Sequence, residues 1–410
     1  MEQDREKLNI IILTDSPFPI GLASTSRIIA YAGGFIDNGA RVKVVCYRPT
    51  EKKNNVINKE ISGIYNHIPF IYSCNNNIIR NNIISRNIAN FISIFRVVST
   101  ISKYNKNDKV HAILLYSKYF MISLIFRLFT SRHNIIFLKE ENEYPEVVFK
   151  NTTIFHRFYI YLYSKFIYKL FDGFLIITDT LLDYINPRKQ KKALALKVPI
   201  IVNRDRFDSI TNHLNNENIT FCGYIGWNNE GVNKEGVPIL IDAFKIVKKK
   251  YSGIKLQIIG YSPYPEDFDK INNQIKNLGL ENDVIILKGI NSTEILGYLV
   301  ESKILVLARP SSRQSSGGFP TKLGEYLMTG KPVVVTNVGE IEYYLKDGVN
   351  AYISEPNSSV KFAEKLLEVL DNYDSALKIG QKGKETAIKE FDNVRCAKNI
   401  LDFILELKTL

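Results

Sequence analysis

A short run of residues around position 320 combines groups that could bind an anion and a polyol together. Residues 317–320 read G-G-F-P and end in a proline, whose fixed φ suits the first turn of a helix. The amides of residues 321–323 would lack partners inside that helix, so they would attract a phosphate. Glu325 lies on the same helical face as Thr321, where its carboxylate could accept hydrogen bonds from ribose hydroxyls. This combination predicts a pocket for a nucleotide sugar.

The elements around this run indicate how it is positioned. Apolar residues 304–308 predict a strand, Val333–Thr336 predicts the next strand, and Gly330 closes the helix between them. Strand, glycine loop, helix and strand make a βαβ unit whose free helical amides would face the anion. A glycine loop before a helix is also common in α/β proteins generally, and Glu325 alone would more often be a solvated helix residue.

The whole run G-G-F-P-T-K-L-G-E-Y-L-M-T-G-K-P-V-V-V-T, which ends at Thr336, resembles the donor site of a known family. The family is the retaining, GT-B-fold glycosyltransferases of family 4, whose pattern is E-x7-E followed by A-x-G-x-P-V-V. Glu325 matches the second glutamate of that pattern. Gly317 stands where the first glutamate belongs, so the chain departs from the family at a residue that contacts the donor sugar.

The resemblance spans nearly the whole chain and implies an α/β protein with the GT-B fold, in which two Rossmann-like domains face a central cleft. Residues 1–198 would form a basic, acceptor-side domain, and residues 199–392 would form the nucleotide-sugar-binding domain. Residues 393–410 would form a helix that crosses back to the first domain. Strand patterns that alternate with helical patterns support a mostly parallel sheet, and 410 residues exceed what one hydrophobic core usually supports.

Cations are expected to hold the donor diphosphate. In the family, an early loop of the second domain supplies an arginine and a lysine; Lys234 matches the lysine, and Trp227 stands where the arginine is expected. Arg309, at the end of a predicted strand, is the candidate replacement and Lys322 is the second choice, although either could be an ordinary surface cation. Gly21, at the first β-loop-α turn, would bring backbone close to the diphosphate, although a single turn glycine is more often only conformational.

Acidic residues cluster where the predicted strand at residues 135–138 ends, in the run E-E-N-E-Y-P-E. Acids at the carboxyl end of a strand point toward the ligand crevice of an open parallel sheet, although a solvated loop explains the run equally well. Some relatives of the family carry a similar E-x-x-E-Y-P run, and the resemblance implies that Glu140 or Glu143 orients the acceptor. The expected catalytic residues are Lys234, Arg309, Glu143 and Glu140, and the expected donor-binding residues are Gly21, Lys234, Gly317, Gly318, Phe319, Thr321, Lys322, Leu323 and Glu325.

The net charge of +12 is concentrated in the first half of the chain. Residues 1–200 hold 28 Lys and Arg against 15 Asp and Glu, a net charge of +13, whereas residues 201–410 hold 26 against 27, a net charge of −1. A basic half-molecule implies an anionic partner. Nucleic acid is not expected, because zinc-ligand spacing, an RNP-like run and a basic heptad helix are all missing from the sequence. An anionic membrane surface fits better.

The segment 154–171 carries Arg157, Lys165 and Lys169 on one side of a predicted helix and aromatic residues on the rest. It predicts either a core helix with a basic solvent edge or an interfacial helix whose tyrosines and lysines meet lipid headgroups. The apolar stretches are too short to span a bilayer, the start does not resemble an export signal, and the four cysteines form no C-x-x-C pair. A cytoplasmic protein, peripheral on the inner face of the membrane, is expected.

The resemblance implies a hexosyltransferase-type enzyme that moves a sugar from a nucleotide-diphosphate sugar to a glycan or lipid-linked acceptor in bacterial surface polysaccharide synthesis. It also implies retention of anomeric configuration. Neither a cofactor nor a metal is expected, because the sequence has no aspartate-rich ligand cluster. Two alternatives stay open: a GT-B-fold nucleotide-sugar 2-epimerase, which needs a different set of acids and histidines, and a non-catalytic sugar-nucleotide binder, which the departures at Gly317 and Trp227 suggest.

Overall fold

The computed structural model describes residues 5, 8–148, 154–208, 216–227 and 231–409. The chain divides into two compact units, Met1–Asn203 with Asn393–Leu410, and Arg204–Asp392. Each unit is built around a sheet whose strands are mostly parallel and alternate with helices. The predicted α/β class is confirmed.

The first unit contains an eight-stranded sheet. Its strands are β1 (Asn9–Thr14), β2 (Arg41–Cys46), β3 (Ser62–Tyr65), β4 (Ile68–Tyr72), β5 (Ala112–Tyr116), β6 (Ile136–Glu141), β7 (Gly173–Ile176) and β8 (Leu194–Lys197). They lie in the order β3-β4-β2-β1-β5-β6-β7-β8, and every neighbouring pair is parallel except β3 and β4. The strands β2 to β4 lie on one side of β1, and the strands β5 to β8 lie on the other side, so the direction of strand addition reverses between β1 and β5. Such a switch point is where open α/β sheets bind ligands.

Helices cover this sheet, and buried aliphatic residues of β1, β2 and β5 form the centre of its core. The helices are α1 (Ala23–Asp37), α2 (Ile83–Asn107), α3 (Phe120–His133), α4 (Pro145–Val148), α5 (Ile154–Phe166) and α6 (Asp179–Ile185), with a 3₁₀ turn at Ile167–Lys169.

The second unit contains a six-stranded sheet that is parallel throughout. Its strands are β9 (Asn218–Tyr224), β10 (Lys255–Tyr261), β11 (Val284–Lys288), β12 (Ile304–Leu307), β13 (Val333–Thr336) and β14 (Tyr352–Ser354). Their order is β11-β10-β9-β12-β13-β14, which puts the switch point between β9 and β12. The helices are α7 (Asp205–Asp208), α8 (Val237–Lys248), α9 (Pro265–Asn277), α10 (Ser292–Glu301), α11 (Arg313–Gly317), α12 (Thr321–Met328), α13 (Ile341–Tyr344), α14 (Ser359–Asp371) and α15 (Tyr373–Phe391).

The last helix, α16 (Asn393–Thr409), packs in the first unit, as predicted for a crossover helix. Gly34 of α1 allows this close packing, because a Cβ there would lie 2.3 Å from the carbonyl oxygen of Asn393. Arg5 adds a two-pronged ion pair to Asp402, with Nη2 2.8 Å from Oδ2.

Two segments rich in polar residues contain regular structure. Within residues 47–77, β3 and β4 form a hairpin around Asn66 and His67, whose φ values of 45° and 63° give the turn that suits the strand twist. The sequence does not signal this turn, because a histidine stands in place of the usual glycine. The polar segment before Gly318 contains α11, which begins with a reciprocal capping box between Ser312 and Ser315.

Candidate active site

The switch point of the second sheet brings two of the predicted cations into neighbouring loops. Gly236, just before α8, has a φ of 70°, and a Cβ there would lie 1.8 Å from the carbonyl oxygen of Ala308. Only glycine permits this approach and this conformation. The loop that carries Lys234 therefore packs against the end of β12, where Arg309 follows.

Asn233 fixes the conformation of the Lys234 loop. Its Nδ2 donates to the carbonyl oxygen of Ile225 at 2.7 Å, and its Oδ1 accepts from the amide of Val237 at 3.0 Å. The amide of Lys234 itself donates to the carbonyl oxygen of Gly226 at 3.1 Å. These hydrogen bonds fix the backbone on both sides of Lys234 before any ligand binds. Less conformational entropy is therefore lost when a ligand binds.

Arg309 is buried, at 4% exposure, and is only partly paired. Its Nε lies 3.2 Å from Glu235 Oε2, an ion-pair distance. In the described part of the chain, however, neither Nε nor Nη1 of Arg309 has a hydrogen-bond partner. Buried N–H groups normally find acceptors, so this guanidinium is suited to receive an anion.

The helix α12 begins at Thr321, as the motif predicts, and Gly330 follows its end with a φ of 73°. One predicted donor is corrected: the amide of Leu323 donates to the carbonyl oxygen of Pro320 at 3.0 Å and is not available to a ligand. The side chain of Leu323 is buried. The first-turn amides suited to a phosphate are therefore those of Thr321 and Lys322.

Glu325 is held as an ionised carboxylate. Its Oε2 lies 2.7 Å from Lys322 Nζ, and its Oε1 lies 3.4 Å from Arg206 Nη1. Burial alone would raise the pKa of Glu325, but Lys322 and Arg206 outweigh it and keep the pKa below its ordinary value. Each carboxylate oxygen retains lone pairs, so Glu325 can still accept hydrogen bonds from hydroxyl groups. Lys322 is engaged with Glu325, which favours Arg309 as the diphosphate cation.

The three residues before Pro320 are positioned differently from one another. Gly317 ends α11, and Gly318 follows it in an extended conformation. The side chain of Phe319 belongs to the core of the second unit, where it packs against Tyr344 and Phe391 with ring centroids 5.3 Å and 6.0 Å away. A donor could therefore contact the backbone of Phe319 but not its ring.

In the first unit, Gly21 lies in the loop between β1 and α1. A Cβ there would lie 2.1 Å from Thr25 Oγ1, which donates to the carbonyl oxygen of Pro17 at 2.6 Å. Glycine at this position is thus required by the packing of the loop on the start of α1.

Glu140 does not lie at an open edge of the first sheet. Its carboxylate accepts from Arg27 and from the hydroxyl of Tyr31, the latter at 2.7 Å, and its side chain is only 1% exposed. Successive side chains on a strand point to opposite faces, so Glu141 shares a face with Lys139 and not with Glu140. The predicted acceptor role of Glu140 is therefore replaced by a role in the core.

Sequence reasoning missed one acid that follows a strand near the switch point of the first sheet, Asp15, whereas the predicted acidic run already contained Glu141. Asp15 comes directly after β1 and pairs with Arg48 at 2.8 Å, and Glu141 ends β6 with its Oε2 3.5 Å from Lys139 Nζ. Burial raises the pKa of both acids above their ordinary values. Glu143 lies half-buried in the loop that follows Glu141. Asp15 directly follows an apolar run of strand length in the sequence, so its place at a strand end could have identified it as a candidate site residue.

The first unit also exposes apolar side chains along two helices. Ile84, Ile88 and Phe91 of α2 are exposed, as are Ile154 and Phe158 of α5. The interpretation of α5 as a core helix is therefore wrong for this part of its surface. Across the described ranges, none of the helices has the length and hydropathy of a membrane span.

The architecture is that of the GT-B glycosyltransferases. The chain superposes on HepE from Anabaena, solved in complex with UDP and glucose, with a TM-score of 0.70 at 14% identity, over 97% of this chain and 99% of that one. The model of the family described as glycosyl transferases group 1 matches residues 228–386. The matched segment contains Lys234, Arg309 and Glu325.

Curated relatives match over a similar part of the chain. A trehalose synthase of Pyrococcus horikoshii is 26% identical over 179 residues, which are 42% of this chain and 41% of the relative. An uncharacterised glycosyltransferase of Methanocaldococcus jannaschii is 30% identical over 179 residues, 43% of this chain and 46% of the relative. The chain thus matches these relatives over less than half of their length.

Proposed function

We propose that this protein is a retaining glycosyltransferase of family 4 that moves a hexosyl group from a nucleotide-diphosphate sugar to a glycan or lipid-linked acceptor in bacterial surface polysaccharide synthesis. One observation carries the proposal. Lys234 and Arg309 lie in neighbouring loops at the switch point of the second sheet, and the segment that contains them and α12 matches the group 1 glycosyl transferases.

The chemistry of the donor explains this choice of residues. Breaking a sugar–phosphate bond adds negative charge to the leaving diphosphate and positive charge to the anomeric carbon. Lys234, the guanidinium of Arg309, whose Nε and Nη1 have no hydrogen-bond partner among the described residues, and the amides of Thr321 and Lys322 would stabilise the leaving group electrostatically. Glu325, kept ionised, would accept hydrogen bonds from the ribose hydroxyls.

Acceptor binding is assigned to the first unit. Glu141 and Glu143 follow β6, and Asp15 follows β1, so all three lie near the switch point of the first sheet. We assign them to orienting the acceptor hydroxyl, with Glu141 in place of Glu140. The leaving phosphate itself would take the acceptor proton, as the resemblance to retaining enzymes implies, and a catalytic carboxylate pair is then not needed.

Membrane association is the second part of the proposal. The first half of the chain has a net charge of +13, and α2 and α5 expose apolar side chains beside basic ones. Apolar insertion combined with attraction to anionic lipid is the usual basis of interfacial binding by amphipathic helices. We assign the enzyme to the inner face of the cell membrane as a peripheral protein.

The test is a donor screen with purified full-length protein. Labelled nucleotide sugars would be incubated with total lipid extract, and transfer of label to extractable product would be followed, with EDTA in a parallel reaction. We expect one donor to be used, the anomeric configuration of its sugar to be kept, and EDTA to leave the rate unchanged. Conversion of the donor to its 2-epimer would identify an epimerase instead, and donor binding without turnover would identify a non-catalytic binder.

A further inference from the structure

The first unit contains a basic groove that the proposed donor and acceptor residues do not use. It lies between the second half of α5 and the end of α6 and has a volume of about 720 Å³, which is within the range of small-molecule sites. Among the described residues that line it, one is acidic, Glu146, and four are cationic, namely Arg157, Lys165, Lys169 and Arg188.

No described carboxylate neutralises these four cations. In the part of the chain that the structure describes, none of them has a carboxylate oxygen within the 4.0 Å of an ion pair. Elsewhere in the same unit, Arg127 pairs with Asp172 at 2.5 Å and Arg48 pairs with Asp15 at 2.8 Å. Like charges around one concavity repel, so an anion bound there would relieve that repulsion.

The floor of the groove is already ordered. Arg188 stacks on the ring of Tyr184, 3.9 Å from its centroid, and donates to the Tyr184 carbonyl oxygen at 2.6 Å. The Tyr184 hydroxyl donates to Glu146 Oε1 at 2.8 Å, and its ring meets that of Tyr144 edge-on at 5.1 Å. Burial raises the pKa of Tyr184 to about 12, so its hydroxyl stays protonated. This ordering reduces the entropy lost when a ligand binds.

An exposed apolar stripe leads away from the groove along α5. Tyr161 lines the groove, and Phe158 and Ile154 lie on the same helical face at the preceding turns. All three are exposed, with Ile154 at 78%. An anionic ligand with an apolar chain would match both features, whereas inorganic phosphate would match only the groove.

We propose that this groove binds the diphosphate of a lipid-linked acceptor, with the lipid chain lying along the stripe of Ile154, Phe158 and Tyr161. The proposal rests on the proposed function, and it specifies the acceptor class. Tyr144 and Glu146 follow Glu143 directly in the chain, so the groove begins close to the residues assigned to the acceptor hydroxyl. A sugar joined to a diphosphate could then place its hydroxyl near Glu143 and its phosphates among the cations.

The test uses labelled farnesyl diphosphate as a soluble probe, in equilibrium dialysis against the full-length protein. Pyrophosphate and farnesol serve as competitors that carry only the charge or only the chain. We expect farnesyl diphosphate to bind at least about tenfold more tightly than either competitor. The double variant Lys165→Ala/Lys169→Ala should lose about tenfold or more in affinity, as expected when charge-assisted contacts are removed. Both lysines are exposed, so thermal unfolding should be unchanged.

The matched control is Lys191→Ala/Lys192→Ala, which removes the same charge from an exposed position that does not line the groove. Equal losses in the two double variants, or no loss in either, would overturn the site. Equal affinity for pyrophosphate and farnesyl diphosphate would overturn the assignment to a lipid. Binding of a nucleotide sugar to the wild-type protein, measured by calorimetry, tests the donor site of the proposed function and does not involve the groove, so the two failures can be told apart.

Discussion

The second sheet presents cations and helix amides at its switch point, whereas the first sheet presents carboxylates. In the second unit, Arg309 keeps buried N–H groups without partners among the described residues, and Lys234 sits in a fixed loop beside it. In the first unit, burial raises the pKa of Asp15 and Glu141, although each has a basic neighbour. The same α/β architecture thus supports two chemistries, because the ligand contacts come from loops rather than from the sheet.

We propose that the edge of the second sheet binds phosphate and that the edge of the first sheet binds the acceptor hydroxyl. Substitutions at the second sheet should therefore change donor affinity and leaving-group stabilisation. Substitutions at the first sheet should change acceptor use and the pH profile. Each prediction below tests whether the two edges can be separated in this way.

The largest effect is expected from Glu140→Ala, and it should be on stability. This change leaves Arg27 as a buried cation without its carboxylate, which typically costs about 3–5 kcal/mol. Chemical denaturation should show the loss in the free energy of unfolding. Glu364→Ala is the control, because Glu364 pairs with Lys361 at an exposed position, and we expect a much smaller loss there. Equal stability losses would place the two acids in equivalent environments and contradict the assignment.

The next effect concerns the leaving diphosphate. Lys234→Ala should lower the turnover number by roughly 100- to 1,000-fold, the usual cost of removing one electrostatic stabiliser, with little change in thermal stability. Arg309→Lys should lower it as well, because a lysine lacks the planar fork that can bind two phosphate oxygens. Steady-state kinetics with saturating donor measures both.

Lys276→Ala, an exposed lysine of α9, is the control for charge in the second unit and should leave the turnover number unchanged. If Arg309→Lys also leaves the turnover number unchanged, Arg309 does not take the role of the family arginine whose position Trp227 occupies in this chain.

A smaller effect is expected on the pH profile. Burial raises the pKa of Glu141 above its ordinary value of 4.5, so the carboxylate is lost on acidification at a higher pH than for an exposed glutamate. If the Glu141 carboxylate must accept a hydrogen bond from the hydroxyl of the acceptor substrate, kcat/KM for that substrate should fall as the pH drops through this raised pKa. Glu141→Gln should lower kcat/KM by roughly 10- to 100-fold and abolish that acid limb. An acid limb that survives in Glu141→Gln would mean that another group titrates.

The smallest effect per residue is expected at the membrane. Vesicle co-sedimentation should show binding to anionic vesicles that weakens with salt, since each Lys or Arg near the surface contributes about 1 kcal/mol. Phe158→Ser should weaken binding, whereas Tyr343→Ser, which changes an exposed aromatic residue of the second unit, should not. Equal binding to neutral and anionic vesicles, or none to either, would falsify membrane docking.

The strand β13 could be predicted to the residue from the sequence alone. Its bounds, Val333–Thr336, are those of a buried aliphatic run that Pro332 and Asn337 limit on its two sides. The β3–β4 hairpin could not be predicted, since its turn uses Asn66 and His67 without a glycine. The short strand β14 lacks a long apolar run and was also missed.

The helix of the proposed donor motif could be predicted better than the surroundings of the acidic run. Glycines and a proline delimit the donor motif, so its helix start could be located from the sequence. At the acceptor edge, Glu140 and Glu141 are adjacent acids, and only the strand register determines which one enters the core. The ion pair of Glu140 with Arg27 joins residues 113 positions apart, so no local pattern could reveal it.

Calorimetric titration of UDP and GDP into four forms of the full-length protein tests the separation of the two edges most directly. The forms are the wild type, Lys234→Ala, Glu325→Gln and Glu141→Gln. We predict that one nucleotide binds the wild type, and that Lys234→Ala and Glu325→Gln each weaken binding by about tenfold or more, as expected for lost charge-assisted hydrogen bonds. Glu141→Gln should bind that nucleotide as the wild type does. Binding of neither nucleotide, or an equal loss in Glu141→Gln, would contradict the account.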